Sequence, residues 1–501
     1  MKKFLSLVIS IAMLVTLISA MSVLVSAQSE PWDGLDFEDY AGGDGTEANP
    51  YLIANGYQFS NIIIETTMLD YDMAGVFFKL TDDINLGGAS ITPIKKFAGV
   101  LDGNGKTIFN FNISASNAAF IQNLNDGAII KNLKIDYATI STFGNRAAAL
   151  VSNLNTGALV ENCEIGSNVT VTIGVESTAS PILGSVVCFG LGGTIKNVVS
   201  SASVVFEVAN KIVYGGGIIG AAGQDTVIEN VIFSGSVVCE SDNIVEGSET
   251  VLGGIIGSLG AKKTAATIKN AINLGTVKST GVGGIAGGVI GLTSAAVSQA
   301  DFAGTIENVF NKSTSVTGNT AQGTFVGTFQ KPITLGGENV FITADGLDKA
   351  IGVAAEGVEA PAATAYKTAL SDVDFEISEV YGNISAAISA AMPTWNTVED
   401  VDYDPEIHGK PEDSTPTETD PITPEDTDPI TPEDTDPITP TETDPQTPVE
   451  TNPQTPAQTQ KPSAGTEKPA DDGGCGSVIA SGLAIVAVVS LAGVALAKKR
   501  D

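Results

Sequence analysis

The sequence predicts an all-β chain: a parallel β-helix, or solenoid, followed by a disordered Pro/Thr-rich stalk and a single C-terminal transmembrane helix. Three observations predict it. One short phrase, small–Ile/Val–Lys/Glu–Asn–apolar, recurs through residues 105–341. The runs between its copies are rich in Val, Ile and Thr and punctuated by Gly, Asn and Ser, which is strand and turn chemistry. Finally, the 501-residue chain is strongly acidic, at net −33, yet has a mean hydropathy of +0.19, so its apolar and acidic material is held apart.

The repeat comes first. Its copies are Ile130-Lys131-Asn132, Val160-Glu161-Asn162, Ile195-Lys196-Asn197, Ile228-Glu229-Asn230, Ile268-Lys269-Asn270 and Ile306-Glu307-Asn308, with Ile108-Phe109-Asn110 as an earlier version. Successive Asn are 22, 30, 35, 33, 40 and 38 residues apart. A period of this size means stacked supersecondary units, each burying its apolar face only against its neighbours. A second phrase alternates with the first, as in Gly215-Gly216-Gly217-Ile218-Ile219-Gly220, Gly253-Gly254-Ile255-Ile256-Gly257 and Gly283-Gly284-Ile285-Ala286-Gly287. Ala148-Ala149-Leu150-Val151 and Gly323-Thr324-Phe325-Val326-Gly327 are degenerate copies. The Asn residues are expected to stack as a structural column, since each amide both donates and accepts. That column is Asn110, Asn132, Asn162, Asn197, Asn230, Asn270 and Asn308. The Gly pairs are expected to permit positive φ and close backbone approach at coil corners.

The two phrases resemble the GLUG-motif repeats of bacterial surface and secreted proteins. Gly43-Asp44-Gly45-Thr46-Glu47-Ala48-Asn49-Pro50-Tyr51-Leu52-Ile53 is similar to the lead-in of that family, and so are Phe78 to Leu86 and Phe97 to Ile108. The resemblance covers about residues 43 to 341. It implies a right-handed β-helix with an N-terminal cap and a surface or adhesion-like role, and it implies no single catalytic activity.

The termini are membrane material. Lys2 and Lys3 precede an apolar run that ends in Val25-Ser26-Ala27, which reads as a signal peptide over residues 1–27 cleaved between Ala27 and Gln28. Gly476 to Ala497 is 22 residues without a charge, enough to span a bilayer core of ~30 Å. Lys498, Lys499 and Arg500 then hold the tail, residues 498–501, in the cytoplasm and leave the body outside. A Gly motif, an apolar span and a basic tail resemble the C-terminal sorting signals of bacterial surface proteins, although no LPxTG pentapeptide is present. Cys475 lies at the boundary and reads either as a processing or acylation site or as a small membrane-edge residue.

The acidic half is a linker over residues 399–475. Octads beginning DPITPEDT run from Asp420 to Thr459, and 15 of the 22 Pro lie between Pro405 and Pro469. Such a segment cannot pack a core and extends by self-repulsion. Residues 399–472 carry net −18, while residues 28–398 carry net −19. The remaining boundaries are an N-terminal cap with first coils at 28–104, repeats at 105–344 and a C-terminal cap at 345–398. A short helix within Tyr57 to Thr67 is expected to cover the first coil, and Trp395 to anchor the far cap.

Composition excludes several functions. With two Arg (Arg146 and Arg500) and one His (His408) in the whole chain, no basic face for nucleic acid exists. No His triad or His metal site can be built in the body, and no cofactor is called for. Cys163, Cys188 and Cys239 sit in apolar runs at no metal-ligand spacing. The reading is therefore a membrane-anchored surface protein that binds an extracellular glycan or protein ligand. The alternative is an anchored β-helix enzyme acting on polysaccharide, for which Asp82, Asp83 and Asp102 are the nearest carboxylates and Arg146 is the only Arg base in the body.

Overall fold

Alternating apolar and polar residues in segments of four to seven suit a strand buried on one side. A computed structural model winds these segments into stacked coils. It describes residues 31–403 except 174–179, 208–211, 241–247, 261–264, 282, 295–302, 314, 343–348, 363–366, 370–377, 399–400 and 402. The signal peptide with Ala27 and Gln28, the Pro/Thr-rich linker from residue 404, Cys475 and the apolar span 476–497 all lie outside the described residues.

The fold is all-β with long parallel sheets in a solenoid arrangement. Each coil has four strands, which define four faces. Face 1 contains Leu159–Ile165, Thr194–Ser200, Val227–Phe233, Ala266–Asn273 and Gly304–Asn311. Face 2 contains Val169–Ile173, Ser203–Phe206, Ser236–Cys239, Thr276–Ser279 and Val316–Gly318. Face 3 contains Ile182–Gly184, Val213–Gly216, Thr250–Gly253, Gly284–Gly287 and Ala321–Gly323. Face 4 contains Val187–Leu191, Ile219–Gly223, Ile256–Leu259, Ile290–Thr293 and Val326–Phe329. Every strand pairs in parallel with the equivalent strand of the coil before and after. In the first coils, the continuous strands Val100–Ala118 and Ile129–Ala148 run through the first three faces.

This register makes columns. Ile130, Val160, Ile195, Ile228, Ile268 and Ile306 lie one above another, fully buried. Beside them stack Cys163, Val198, Val231, Ala271 and Val309. β-Branched side chains fit such a pleated interior. Two Asn are also wholly buried. The Asn273 amide donates to the Asn311 side chain at 2.9 Å and to the Gly288 carbonyl at 2.7 Å, and Asn311 donates to the Thr324 carbonyl at 2.7 Å. Their amides thus satisfy turn carbonyls that the core would otherwise strand.

The N-terminal end is closed by helix α1, Gly56–Thr67. Asn55 caps it by accepting from the Gln58 N–H at 2.9 Å. Phe59, Ile62 and Ile63 face the coil interior, with Phe59 stacked on Phe120 at 5.4 Å between ring centroids.

The C-terminal region corrects an expectation. Residues 345–398 do not act simply as an end cap. Ile351–Ala354 adds a strand to face 4, and Lys367–Ala369 pairs with Val340–Ile342. Helix α2, Glu379–Ala391, lies along the outside of face 1. Its Ile384 and Ile388 pack on the outward side chains Ile272, Phe310 and Val340, next to Val199 and Ile232. A 13-residue helix is about 20 Å long, which matches about four rung spacings of ~4.8 Å. The chain then continues over the first coils. Pro393 reaches Gly105, the Asn396 amide donates to Asp83 Oδ2 at 2.7 Å, and Tyr403 meets Thr139 and Tyr137. The segment is a strap that runs back along the array, and Trp395 lies within it. The reason is visible in face 1: its outward column turns from Lys134 and Glu164 to Val199, Ile232, Ile272 and Phe310, a stripe that needs covering.

Candidate functional site

The predicted Asn column is a ladder at the bend of face 1. Asn162 donates to Asn132 at 3.1 Å, Asn197 to Asn162 at 2.9 Å, Asn230 to Asn197 at 2.9 Å, Asn270 to Asn230 at 2.9 Å and Asn308 to Asn270 at 3.0 Å. Asn132 starts it by donating to Asp102 Oδ1 at 2.9 Å, and the Glu338 N–H closes it on Asn308 at 2.9 Å. All six Asn have φ between 51 and 55°. Asn is the non-glycine residue that best tolerates this left-handed conformation. One side chain type therefore serves both the bend and the ladder. Asn110 is not a member. It sits one bend further along, opposite Tyr137, and donates to Asn85 at 3.1 Å. The place below Asn132 in that coil is taken by the extra residues after Asp102.

Beside the ladder runs a second column that the phrase encodes. Asp102, Lys131, Glu161, Lys196, Glu229, Lys269 and Glu307 stack in register with alternating sign. Lys131 lies 3.6 Å from Asp102, Lys196 3.9 Å from Glu161 and Lys269 3.5 Å from Glu307. Each exposed pair contributes about 0–1 kcal/mol, so the column mainly enforces register.

The other candidate chemistry is absorbed by structure. Asp82 Oδ1 accepts from the Asp83 N–H at 2.9 Å, and Asp83 Oδ1 accepts from the Thr107 N–H at 2.7 Å. Asp102 accepts from Asn104 and Asn132 and pairs with Lys131. Cys163, Cys188 and Cys239 are buried free thiols. Burial pushes the thiols of Cys163 and Cys188 up to about 12, so neither is a nucleophile near neutral pH. Among the described residues no group of three or more His, Cys, Asp or Glu could hold a metal ion.

The remaining feature is a valley on the outer surface, and the glycine phrase explains it. The turn from face 3 to face 4 is always two residues long. A Cβ at Gly216, Gly253 or Gly287 would strike the carbonyl oxygen of Ile219, Ile256 or Ile290 across that turn. These glycines serve close approach, not positive φ. In register Gly287 matches Gly216 and Gly253, so the third full copy is Gly287-Gly288-Val289-Ile290-Gly291, not Gly283 to Gly287. From Ile219–Gly223 onward, the second residue of each face 4 strand is a Gly that lies under the outward side chains of face 3. A Cβ at Gly220 would be 2.6 Å from Ile182 Cγ2, at Gly291 2.8 Å from Val251 Cγ1 and at Gly327 2.7 Å from Ile285 Cγ2. Outward residues of the two faces therefore pack on each other, outside the main core. Leu292 of face 4 clusters with Val251, Ile285 and Ala321 of face 3, and Phe189 with Ile182 and Ala221. The corner between faces 3 and 4 is re-entrant.

The valley changes character in the first coils, where the phrase degenerates. Asn117 and then Arg146 hold the positions later filled by Ile182 and Tyr214. Asn123 and Asn153 hold those later filled by Phe189 and Ala221. The polar groups are joined. Asn153 donates to Asn123 Oδ1 at 3.0 Å, Asn123 to the Lys95 carbonyl at 2.9 Å and Gln122 to the Asn117 carbonyl at 3.0 Å. The Arg146 guanidinium donates to Asn153 and lies 5.4 Å from the centroid of the Phe189 ring. Lys95 and Lys96 stand before these rungs and share Asp70, at 3.6 and 3.1 Å. Three residues before Arg146, Phe143 is 58% exposed. Arg146, Asn117, Gln122 and Asn123 are partly exposed, whereas Asn153 and Phe189, which the guanidinium touches, are buried. Sequence reading named Arg146 only as a base. The signal it missed was the loss of Gly and aliphatic residues from Ala148-Ala149-Leu150-Val151-Ser152-Asn153.

No family model matches the chain. A relative from Evansella cellulosilytica, provisionally named a Gly-rich membrane protein, is 31% identical over 120 residues, covering 21% of this chain and 13% of that protein. The chain thus spans a small part of that relative's length. A crystal structure of a provisionally named immunoglobulin A1 protease from Bacteroides ovatus aligns with a TM-score of 0.44 and 20% identity, over 70% of this chain and 90% of that one. A second structure, of an IgA1 protease, aligns with a TM-score of 0.34 and 14% identity, over 54% of this chain and 23% of that chain.

Proposed function

We propose that this is a cell-surface, membrane-anchored protein whose solenoid binds an extracellular ligand, a glycan or a neighbouring surface, at the polar end of its outer valley. The observation that carries the reading is the break in the valley's glycine and aliphatic pattern at Asn117, Asn123, Arg146 and Asn153. Asn153, Asn123 and the Lys95 carbonyl form a short coil-to-coil ladder of their own, so the departure that stacking leaves unexplained is Arg146. Binding is favoured over catalysis because Asp82, Asp83 and Asp102 are each committed to hydrogen bonds that shape the coils. The GLUG resemblance and a right-handed winding, the hand that parallel crossovers take, belong to the same proposal. The name of the Evansella relative is in keeping with a membrane setting.

The direct test is a glycan and glycoprotein array probed with the purified full-length protein. Retention of a defined ligand class, lost in Arg146→Ala, is expected; release of polysaccharide fragments on incubation would contradict a binding-only role. The anchor is tested separately. Deleting Gly476 to Asp501 should release the protein into the medium, and unchanged cell association would contradict it.

A further inference from the structure

We propose that the ligand of the valley is an acidic glycan, with Arg146, Lys95 and Lys96 meeting the carboxylates of its uronate residues. This rests on the valley being a ligand site. Three observations lead to it. First, Arg146 is half-buried and has no carboxylate partner among the described residues; its contacts there are the Asn153 amide and the Phe189 ring. A partly desolvated guanidinium is stabilised when an anion completes its coordination. Second, two lysines stand at the first rungs, Lys95 and Lys96, and the carboxylate paired with them among the described residues is Asp70. Third, the partly exposed side chains of Asn117, Gln122 and Asn123 lie on the coil between Lys95 and Arg146. Amides suit sugar hydroxyls.

The geometry narrows the class. Lys95 follows Ile94, which pairs with Ile121, which in turn pairs with Val151 in the coil of Arg146. The two cations are therefore two coils apart, about 10 Å along the axis. A sugar residue advances an extended chain by about one rung, so alternate residues of a polyuronate can meet the cations in turn. Nucleic acid needs a denser run of cations than three. The planar guanidinium fork can meet a carboxylate with two parallel bonds.

The experiment is calorimetry on the purified full-length protein with polygalacturonate, heparin and neutral dextran, at low and high salt. Polygalacturonate should bind, weaken with salt, and weaken about tenfold or more in Arg146→Ala. Arg146→Lys should restore only part of this. The exposed pair Lys95→Ala/Lys96→Ala should also weaken binding, with an unchanged melting temperature. Heparin bound in preference to polygalacturonate would overturn the carboxylate assignment. Dextran bound equally well, with no effect of Arg146→Ala, would overturn the acidic class while leaving a glycan site in place. Loss of every glycan in the wild-type protein, with the fold intact by melting, would overturn this proposal; retention of a protein ligand on the array would then keep the valley as a ligand site.

Discussion

Face 1 and the valley between faces 3 and 4 are built by the same coils, yet they use their outward side chains differently. On face 1, Asn repeats from Asn132 to Asn308, and the neighbouring charges alternate without a break from Asp102 to Glu307. In the valley, small, aliphatic and aromatic residues hold the later coils, while Asn117, Arg146, Asn123 and Asn153 hold the first ones. A side chain repeated on every coil is explained by the coil above and below it. In the first coils Asn153, Asn123 and the Lys95 carbonyl are also joined coil to coil, but Arg146 is not repeated, and on the proposed reading that one departure marks the ligand site.

The comparison can be broken in graded ways. The largest effect is expected from Gly291→Val. Its side chain would overlap Val251 and the backbone at Leu252, and a loss of about 3 kcal/mol or more should appear as a lowered unfolding midpoint in urea. Ile228→Ala should follow at about 2–4 kcal/mol, since its column is wholly buried. A melt unchanged within error would contradict continuous stacking. Next comes the ladder. Asn197→Ala should cost about 1–2 kcal/mol, whereas Asn197→Gly should cost less, because Gly restores the left-handed backbone and loses only the ladder bonds. Equal losses in both would show that the backbone conformation contributes little. Ile388→Asp should free α2 from its apolar stripe, which is read as faster proteolysis within residues 379–398. Valley binding should persist.

The smallest effect concerns pH. Burial tends to lower the pKa of Lys134, but Glu164 at 3.1 Å and Asp136 at 3.3 Å outweigh it, and the net shift is upward from 10.5. A raised folded-state value means stabilisation that is complete below the unfolded pKa. It is lost as pH rises through the folded one, above about 10.5. Lys134→Met should flatten the stability profile in that alkaline window and leave the neutral range shallow.

Much of this was legible in the sequence. The Asn and Gly phrases specified strands, coils and stacking, because both answer to contacts repeated every period. Helix α1 was legible through its N-terminal position and its apolar face. Three things were not. Asn110 carries the same local phrase as the ladder but lies at another bend, since the extra residues after Asp102 shift its register. The strap depends on outward residues such as Ile232 and Phe310, which look like core residues until the pleat assigns them a side. The valley depends on two faces meeting at a re-entrant corner, a long-range property that no local pattern announces. Arg146 was conspicuous as the body's only Arg, but its neighbours Asn153 and Phe189 came from the fold.

The central claim is that regular columns hold the solenoid and irregular rungs bind. It is tested most directly by measuring polygalacturonate affinity and thermal stability together for Asn230→Gly and Arg146→Ala. The account predicts a lowered melting temperature with affinity kept for Asn230→Gly, and affinity lost with stability kept for Arg146→Ala. Loss of binding in Asn230→Gly with full affinity in Arg146→Ala would contradict it.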